Sequence, residues 1–178
     1  NEVYVEENLW KPTPIMSDSF VASDGTNLSG HTADGNGHEI SGGGNAWSIN
    51  SGGFEINSNT CEWNGNGNFG SRAVYDFDES DVFLEADIEE VSGSAYTGIC
   101  FRMNGDTGWF VAMSWVSNEL QIIERTGSGN TVRATLTGLT DTRYHLQVRV
   151  EGADIYAMIT DQYETVFNGV SYTSASTN

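Results

Sequence analysis

The chain has 178 residues, which is the size of one domain and enough to bury a core without disulfide or metal cross-links. It carries 25 acidic and 7 basic residues, and the resulting net charge of −18 argues against nucleic acid and anionic membrane surfaces as partners. No apolar run approaches the ~20 residues of a transmembrane helix, so we expect no membrane insertion.

Short runs of alternating apolar and polar residues, each closed by Gly, Asn, Asp or Ser, predict β-strands along most of the chain. The predicted strands are 53–57, 72–76, 82–89, 99–103, 109–116, 119–125, 131–136, 144–150 and 155–160. Three segments with Gly, Asn or Asp, at 104–106, 127–130 and 151–154, lie between such runs and predict hairpin turns. Because sustained helical spacing is missing from the sequence, the chain is expected to be all-β, with two antiparallel sheets packed as a sandwich.

The two ends and one long middle segment differ in composition from the predicted strands. Residues 1–14 are expected to form an edge strand or a linker, while 171–178 either close the sandwich or lead out of it as a tail. Residues 29–70 are rich in Gly and Asn, which favours long binding loops at one end of the sandwich or, equally, a plain irregular connection. We predict one domain over 1–178. Since the chain has no signal peptide and does not begin with Met, we expect a processed product or a segment of a longer protein.

Several segments in order carry a resemblance to a known superfamily. They include Asp18-Ser19-Phe20 followed by 24–31, then Gly98-Ile99-Cys100-Phe101-Arg102, and the late hairpin from 144 to 155. Together they resemble the concanavalin A-like lectin/glucanase superfamily, in particular its laminin-G-like and glucanase-like branches, over residues 18–160. The resemblance implies a jelly-roll sandwich, but this fold carries lectins, glycosidases and adhesive domains, so it implies no single function.

Three carboxylates alternate along one predicted strand. Glu85, Asp87 and Glu89 share a strand face because side chains repeat with period two. The spacing resembles the catalytic strand of β-glucanases, which implies Glu85 as nucleophile, Asp87 as modulator and Glu89 as acid/base of a retaining glycoside hydrolase. The favoured interpretation is an outward acidic face opposite a core face, which is routine in antiparallel sheets, so no catalytic residue is favoured.

Aromatic side chains give the second candidate site, because sugar rings stack on aromatic faces while polar groups fix their orientation. Trp63 lies beside an Asn- and Gly-rich segment and is the first choice for an exposed stacking surface, with Trp115 next. Trp47 and Trp109 are expected in the core. The predicted ligand-binding set is Trp63, Trp115, Asn64, Asn66 and Arg102.

Asp and Asn residues near the first long loop are the third candidate, because calcium prefers oxygen ligands. The predicted metal set is Asp18, Asp24, Asp34 and Asn36. Turn formation is the favoured explanation of these residues, so the expected cofactor is either none or a structural calcium ion. Whether Cys61 and Cys100 form a disulfide is left open by the sequence.

The leading hypothesis from the sequence is a non-catalytic, lectin-like carbohydrate-binding module of a secreted or particle-borne protein. The first alternative is a structural or adhesive exterior domain of a virion, filament or surface layer, and the second is a β-glucanase-like hydrolase. The expected partner is therefore a glycan or a neighbouring protein subunit. The expected location is extracellular, on a cell surface or on a virion surface.

Overall fold

The structure is a computed structural model that describes residues 18–31, 47–51, 53–63, 72–74, 80–90, 96–127, 129–161 and 168–175. The predictions for residues 1–14 and for Asp34, Asn36, Asn64 and Asn66 lie outside these ranges. Within them, none of the helical structure is long and apolar enough to cross a membrane. The chain divides into two compact units, residues 1–78 and 79–178.

The first unit contains short strands and one turn of 3-10 helix. Its elements are β1 (Thr26–Asn27), the 3-10 helix Leu28–Gly30, β2 (Ser48–Ser51), β3 (Phe54–Asn57), β4 (Thr60–Trp63) and β5 (Arg72–Val74). They form an antiparallel sheet in the order β1-β3-β4 and an antiparallel pair of β2 with β5. Ser58 and Asn59 join β3 to β4 with positive φ angles of 53° and 60°, as a two-residue hairpin of this twist needs. Leu28 and Ile56 are fully buried.

In the described part of the second unit there are eight longer strands. They are β6 (Val82–Glu89), β7 (Tyr96–Asn104), β8 (Thr107–Ser114), β9 (Glu119–Thr126), β10 (Gly129–Thr137), β11 (Arg143–Glu151), β12 (Asp154–Asp161) and β13 (Asn168–Thr173). They form two four-stranded antiparallel sheets. Sheet I has the order β10-β9-β8-β7 and sheet II the order β13-β12-β11-β6.

Sheets I and II pack face to face around one core. Val111 of sheet I and Leu146 and Val148 of sheet II are fully buried members of a single apolar cluster. Trp109 of sheet I also meets Tyr172 of sheet II, with ring centroids 5.5 Å apart. Strand alternation thus gives each sheet one apolar face, and the two faces cover each other. The predicted all-β antiparallel sandwich is confirmed.

Strand boundaries follow the alternation closely where the alternation is clean. β6 spans the predicted residues 82–89, and β11 extends the predicted 144–150 by one residue at each end. β13 is absent from the predicted strands because its sequence, Asn-Gly-Val-Ser-Tyr-Thr, contains residues that are typical of turns. Pairing with β12 overrides this local preference, so the segment from residue 171, expected either to close the sandwich or to lead out of it as a tail, begins inside an edge strand.

Candidate functional site

Two large apolar side chains point to solvent from the middle of sheet II. Tyr156 and Met158 alternate along β12 with Ile155, Ala157 and Ile159, which are at most 1% exposed. Because successive residues of a strand point to opposite faces, Tyr156 is left 43% exposed and Met158 42% exposed. The solvent face of an antiparallel sheet is usually polar, so two neighbouring apolar side chains mark a candidate binding surface.

The strand register surrounds these two side chains with polar groups. Gln147 on the central strand β11 is paired with Glu85 of β6 on one side and with Met158 of β12 on the other. Arg149 is likewise paired with Tyr156. We call this outward surface of sheet II the Tyr156 face. Its members are Glu85, Asp87, His145, Gln147, Arg149, Tyr156, Met158, Gly169 and Ser171.

A shallow depression of about 230 Å³ lies on the Tyr156 face between β12 and β13. The side chains of Tyr156, Met158 and Ser171 line the depression. It is open at Gly169, which has no side chain. A Cβ atom at Gly169 would lie 3.3 Å from the Ala157 carbonyl oxygen and 3.6 Å from Met158 Cγ, so a larger residue would fill the depression. The site therefore combines an apolar floor, a hydroxyl group and an adjacent polar row.

The polar row consists of Glu85 and Asp87 on β6 and His145 and Gln147 on β11, and contacts between the two strands hold it in place. His145 Nδ1 lies 3.0 Å from Asp87 Oδ1, and Arg143 lies 3.5 Å from the other oxygen of Asp87. The Gln147 amide nitrogen donates a hydrogen bond of 3.3 Å to Glu85 Oε2, which lies 3.6 Å from His145 Nε2. Side chains that are already positioned lose less conformational entropy when a ligand binds.

The carboxylates considered for catalysis lie on this same surface. Glu85, Asp87 and Glu89 point outward from β6, the edge strand of sheet II, opposite the core residues Val82, Leu84, Ala86 and Ile88. Glu85 is 41% and Asp87 62% exposed. This is the outward acidic face that the sequence favoured. Both carboxylates make cross-strand contacts, and the expectation that neither is catalytic stays a prediction.

The two tryptophans predicted to bind ligand belong to different units. Trp63 is the last residue of β4, where it is paired with Phe54. Trp115 is only 7% exposed, its Nε1–H donates to Thr97 Oγ1 over 3.0 Å, and its ring stacks on Tyr144 at 6.2 Å. The expectation that Trp115 presents an exposed ring is thus wrong. Trp109, expected in the core, is 4% exposed and lies there.

Arg102, the predicted cationic ligand-binding residue, is tied to the protein backbone. Its φ is 49°, and it lies where the register of β7 with β8 shifts. The guanidinium donates two hydrogen bonds, of 3.0 and 2.9 Å, to the Ser80 carbonyl oxygen and a third, of 3.4 Å, to Asp81. Its side chain is 8% exposed, so in this conformation the charge holds the start of β6 in place.

Two of the four predicted calcium ligands are described, and both accept hydrogen bonds from nitrogen. Asp18 accepts from the backbone N–H of Phe20 at 2.8 Å, from His31 Nε2 at 2.8 Å and from Trp47 Nε1 at 2.5 Å. Asp24 accepts from the backbone N–H of Ser58. N–H groups hydrogen-bond to both oxygens of Asp18, and these contacts account for the position of the carboxylate. Among the described residues, no group of three or more His, Cys, Asp or Glu side chains is placed to hold a metal ion. With Asp34 and Asn36 outside the described ranges, the calcium ion stays a prediction.

Neither Cys61 nor Cys100 forms a disulfide. Burial, with smaller contributions from the charges of Asp18 and Glu62, raises the pKa of the Cys61 thiol to about 12 from its ordinary value of 9.0.

The raised pKa of Cys61 makes stability depend on pH, because above pH 9 the unfolded chain releases the thiol proton while the folded chain keeps it. We therefore expect the free energy of unfolding to fall with rising pH above about 9, by at most about 1.4 kcal/mol per pH unit from this group. Denaturant titrations from neutral to alkaline pH measure the slope, and Cys61→Ala should remove this part of it. Equal slopes in the two proteins would contradict the assignment.

Sequence reasoning missed the Tyr156 face, although a signal for it was present. The predicted strand 155–160 has Ile155, Ala157 and Ile159 in one phase, which identifies the inward face. Tyr156 and Met158 then stand in the phase that is normally polar. By the same reasoning Trp115 shares the inward phase of Trp109 and is a core residue.

Comparison with known proteins shows likeness in fold. No protein-family model and no curated protein sequence matches the chain. Among solved structures, the chain is similar to the carbohydrate-binding module CBM66 from Bacillus subtilis, with a TM-score of 0.62 and 16% sequence identity. The match covers 74% of this chain and 81% of that one. At this level of identity the likeness shows a shared sandwich fold, and membership of the concanavalin A-like superfamily stays a prediction.

Proposed function

We propose that this chain is a non-catalytic carbohydrate-binding module whose ligand lies on the Tyr156 face. The observation that carries the proposal is the exposed pair of Tyr156 and Met158 directly beside a row of positioned polar side chains. A sugar ring has apolar C–H faces and a polar rim of hydroxyl groups, so it needs both kinds of surface next to each other. The fold shared with a carbohydrate-binding module supports the same function.

In the proposed complex the Tyr156 ring stacks on one face of a sugar ring. The Gln147 amide and the Ser171 hydroxyl lie in neighbouring positions of the sheet, where they can exchange hydrogen bonds with sugar hydroxyl groups. Glu85 and Asp87 place two of the acidic groups of this chain, whose net charge is −18, beside the site. Anionic glycans are repelled by this charge, so the proposed ligands are neutral glycans.

The open shape of the site also bears on the function. The depression is shallow and its described lining holds no carboxyl group, whereas glycosidic bond cleavage needs a pair of carboxyl groups placed about the scissile bond. A shallow surface suits binding to an extended polysaccharide.

We also propose that the module acts outside the cell, as part of a secreted or particle-borne protein that it directs to a glycan.

Replacing Tyr156 with alanine tests this proposal. Loss of the stacking surface should weaken glycan binding by about ten- to hundredfold, which corresponds to about 1.5–3 kcal/mol. A glycan array with the wild-type protein identifies the ligand, and calorimetric titration then gives the dissociation constants. Thermal melting should be little changed, because Tyr156 is outside the core.

The matched control is Tyr96→Ala. Tyr96 is 37% exposed, but it belongs to sheet I, so its loss should leave binding unchanged. If the array finds no neutral glycan, or if both variants bind as wild type does, the proposal is wrong. Self-association of the protein through the Tyr156 face, without glycan binding, would instead support the structural or adhesive alternative.

A further inference from the structure

A second recess lies at one end of the sandwich in the second unit, away from the Tyr156 face. It is formed where the segment after β10 leads into β11, next to the end of β12 and the start of β13, and it encloses about 180 Å³. The side chains that define it are Leu139, Thr140, Asp141, Tyr144, Asp161 and Asn168.

The recess has a fixed apolar floor. Leu139 is 5% and Tyr144 4% exposed, and both belong to the buried core cluster. The Tyr144 hydroxyl oxygen accepts a hydrogen bond of 2.7 Å from the backbone N–H of Asp141. The Leu139 backbone N–H in turn donates to the Asn118 carbonyl oxygen over 3.3 Å. The segment that carries Asp141 is thereby held at both of its ends.

The rim of the recess carries oxygen and amide groups from two sides. Asp161 is paired with Tyr144 in the sheet, and Asn168 is paired with Ile159, so both stand at the ends of paired strands. Asp141 and Thr140 lie on the opposite side, on the segment held by Tyr144. Burial, followed by the charges of Asp141 and Asp161, raises the pKa of Tyr144. The Tyr144 phenol therefore stays neutral to a higher pH than an ordinary tyrosine.

We propose that this recess is a second binding site, which takes one neutral sugar ring through its hydroxyl groups. Two carboxylates accept strong hydrogen bonds from hydroxyl donors, and the apolar floor meets the C–H face of the ring. The two negative charges exclude an anionic sugar. The choice of a sugar as the ligand rests on the proposed function of the module. With the Tyr156 face as the first site, the module would bind a polysaccharide at two places and gain avidity.

The test is an NMR titration of the ¹⁵N-labelled chain with methyl glycosides of neutral hexoses and pentoses. At least one should shift the amide signals of Thr140, Asp141, Asp161 and Asn168 in a saturable way. Asp141→Asn should weaken that binding by about tenfold, because one charged hydrogen bond acceptor is lost while the backbone N–H stays bonded to Tyr144. Asp106→Asn makes the same charge change in the β7–β8 turn at the other end of the sandwich and should have no effect.

The same spectra separate the two proposals. If the proposed function is wrong, oligosaccharides will leave the amide signals of Tyr156 and Ser171 unchanged. The Tyr156→Ala variant should still show the shifts of the recess signals when methyl glycosides are added. The second site is overturned if no methyl glycoside shifts the recess signals, if Asp141→Asn binds as tightly as wild type, or if calcium shifts these signals and sugars do not.

Discussion

Replacing Gly98 with alanine is expected to break the pairing of β7 with β8 and to lower the free energy of unfolding by about 3 kcal/mol. A Cβ atom at this position would lie 2.1 Å from the Val111 carbonyl oxygen and 2.5 Å from the Ala112 Cα atom. Both are backbone atoms in the strand that Gly98 is paired with, so no side-chain rotation can relieve the clash. Urea titration followed by circular dichroism measures the loss.

A second glycine in the same sheet provides the control for this prediction. A Cβ atom at Gly129 would have the Thr126 carbonyl oxygen as its nearest neighbour, at 3.7 Å, which is an ordinary van der Waals contact. Gly129→Ala should change the free energy of unfolding by less than about 1 kcal/mol. A small increase is compatible with this, because alanine reduces the conformational entropy of the unfolded chain. Equal losses in the two variants would show that the close approach of β7 to β8 is not what requires glycine at position 98.

Replacing Asp18 with alanine should have an effect of similar size in the first unit. The Asp18 side chain is 2% exposed, and its oxygens accept hydrogen bonds from Phe20, His31 and Trp47. Without the carboxylate these buried donors lose their acceptor, which should cost about 3 kcal/mol or more. Thermal and urea unfolding of Asp18→Ala measure the loss.

Two further variants show whether the acceptor itself is responsible. Asp18→Asn keeps one acceptor oxygen in place and should lose less stability than Asp18→Ala. Asp24 is exposed and accepts a hydrogen bond from the Ser58 backbone, so Asp24→Ala should cost no more than about 1 kcal/mol. An Asp18→Ala protein as stable as the Asp24→Ala protein would contradict the role given to Asp18.

Features that depend on local sequence were predictable, whereas contacts between residues far apart in the sequence were not. Strands such as β6 and β11 were predictable almost to the residue, because their period-two alternation is a local signal. The pairing of Gln147 with both Glu85 and Met158 depends on which strands become neighbours in sheet II, and a single sequence does not contain that register. The rows of the Tyr156 face therefore become visible only in the folded sheet.

The prediction for Trp115 was wrong for a related reason. The aromatic members of the predicted ligand-binding set are both tryptophans, but a large ring is as useful in a core. Trp115 is buried beside Tyr144, whereas Tyr156 lies on the solvent face of its strand. The phase of a side chain within its strand was a better guide to exposure than its residue type. Arg102 shows the same limit, since its contact with the Ser80 backbone joins residues 22 positions apart.

Hydroxyl-radical footprinting with mass spectrometry tests the central claim most directly, because it reports where a bound glycan covers the surface. Tyr156 and Met158 are both exposed and both of residue types that oxidise readily, while the fully buried Met113 is an internal reference. A saturating neutral glycan should reduce the oxidation rates of Tyr156 and Met158 several-fold and leave the exposed Tyr96 of sheet I unchanged. Glycan binding that protects other residues, with Tyr156 and Met158 oxidised as fast as before, would contradict the placement of the binding site on the outer face of sheet II.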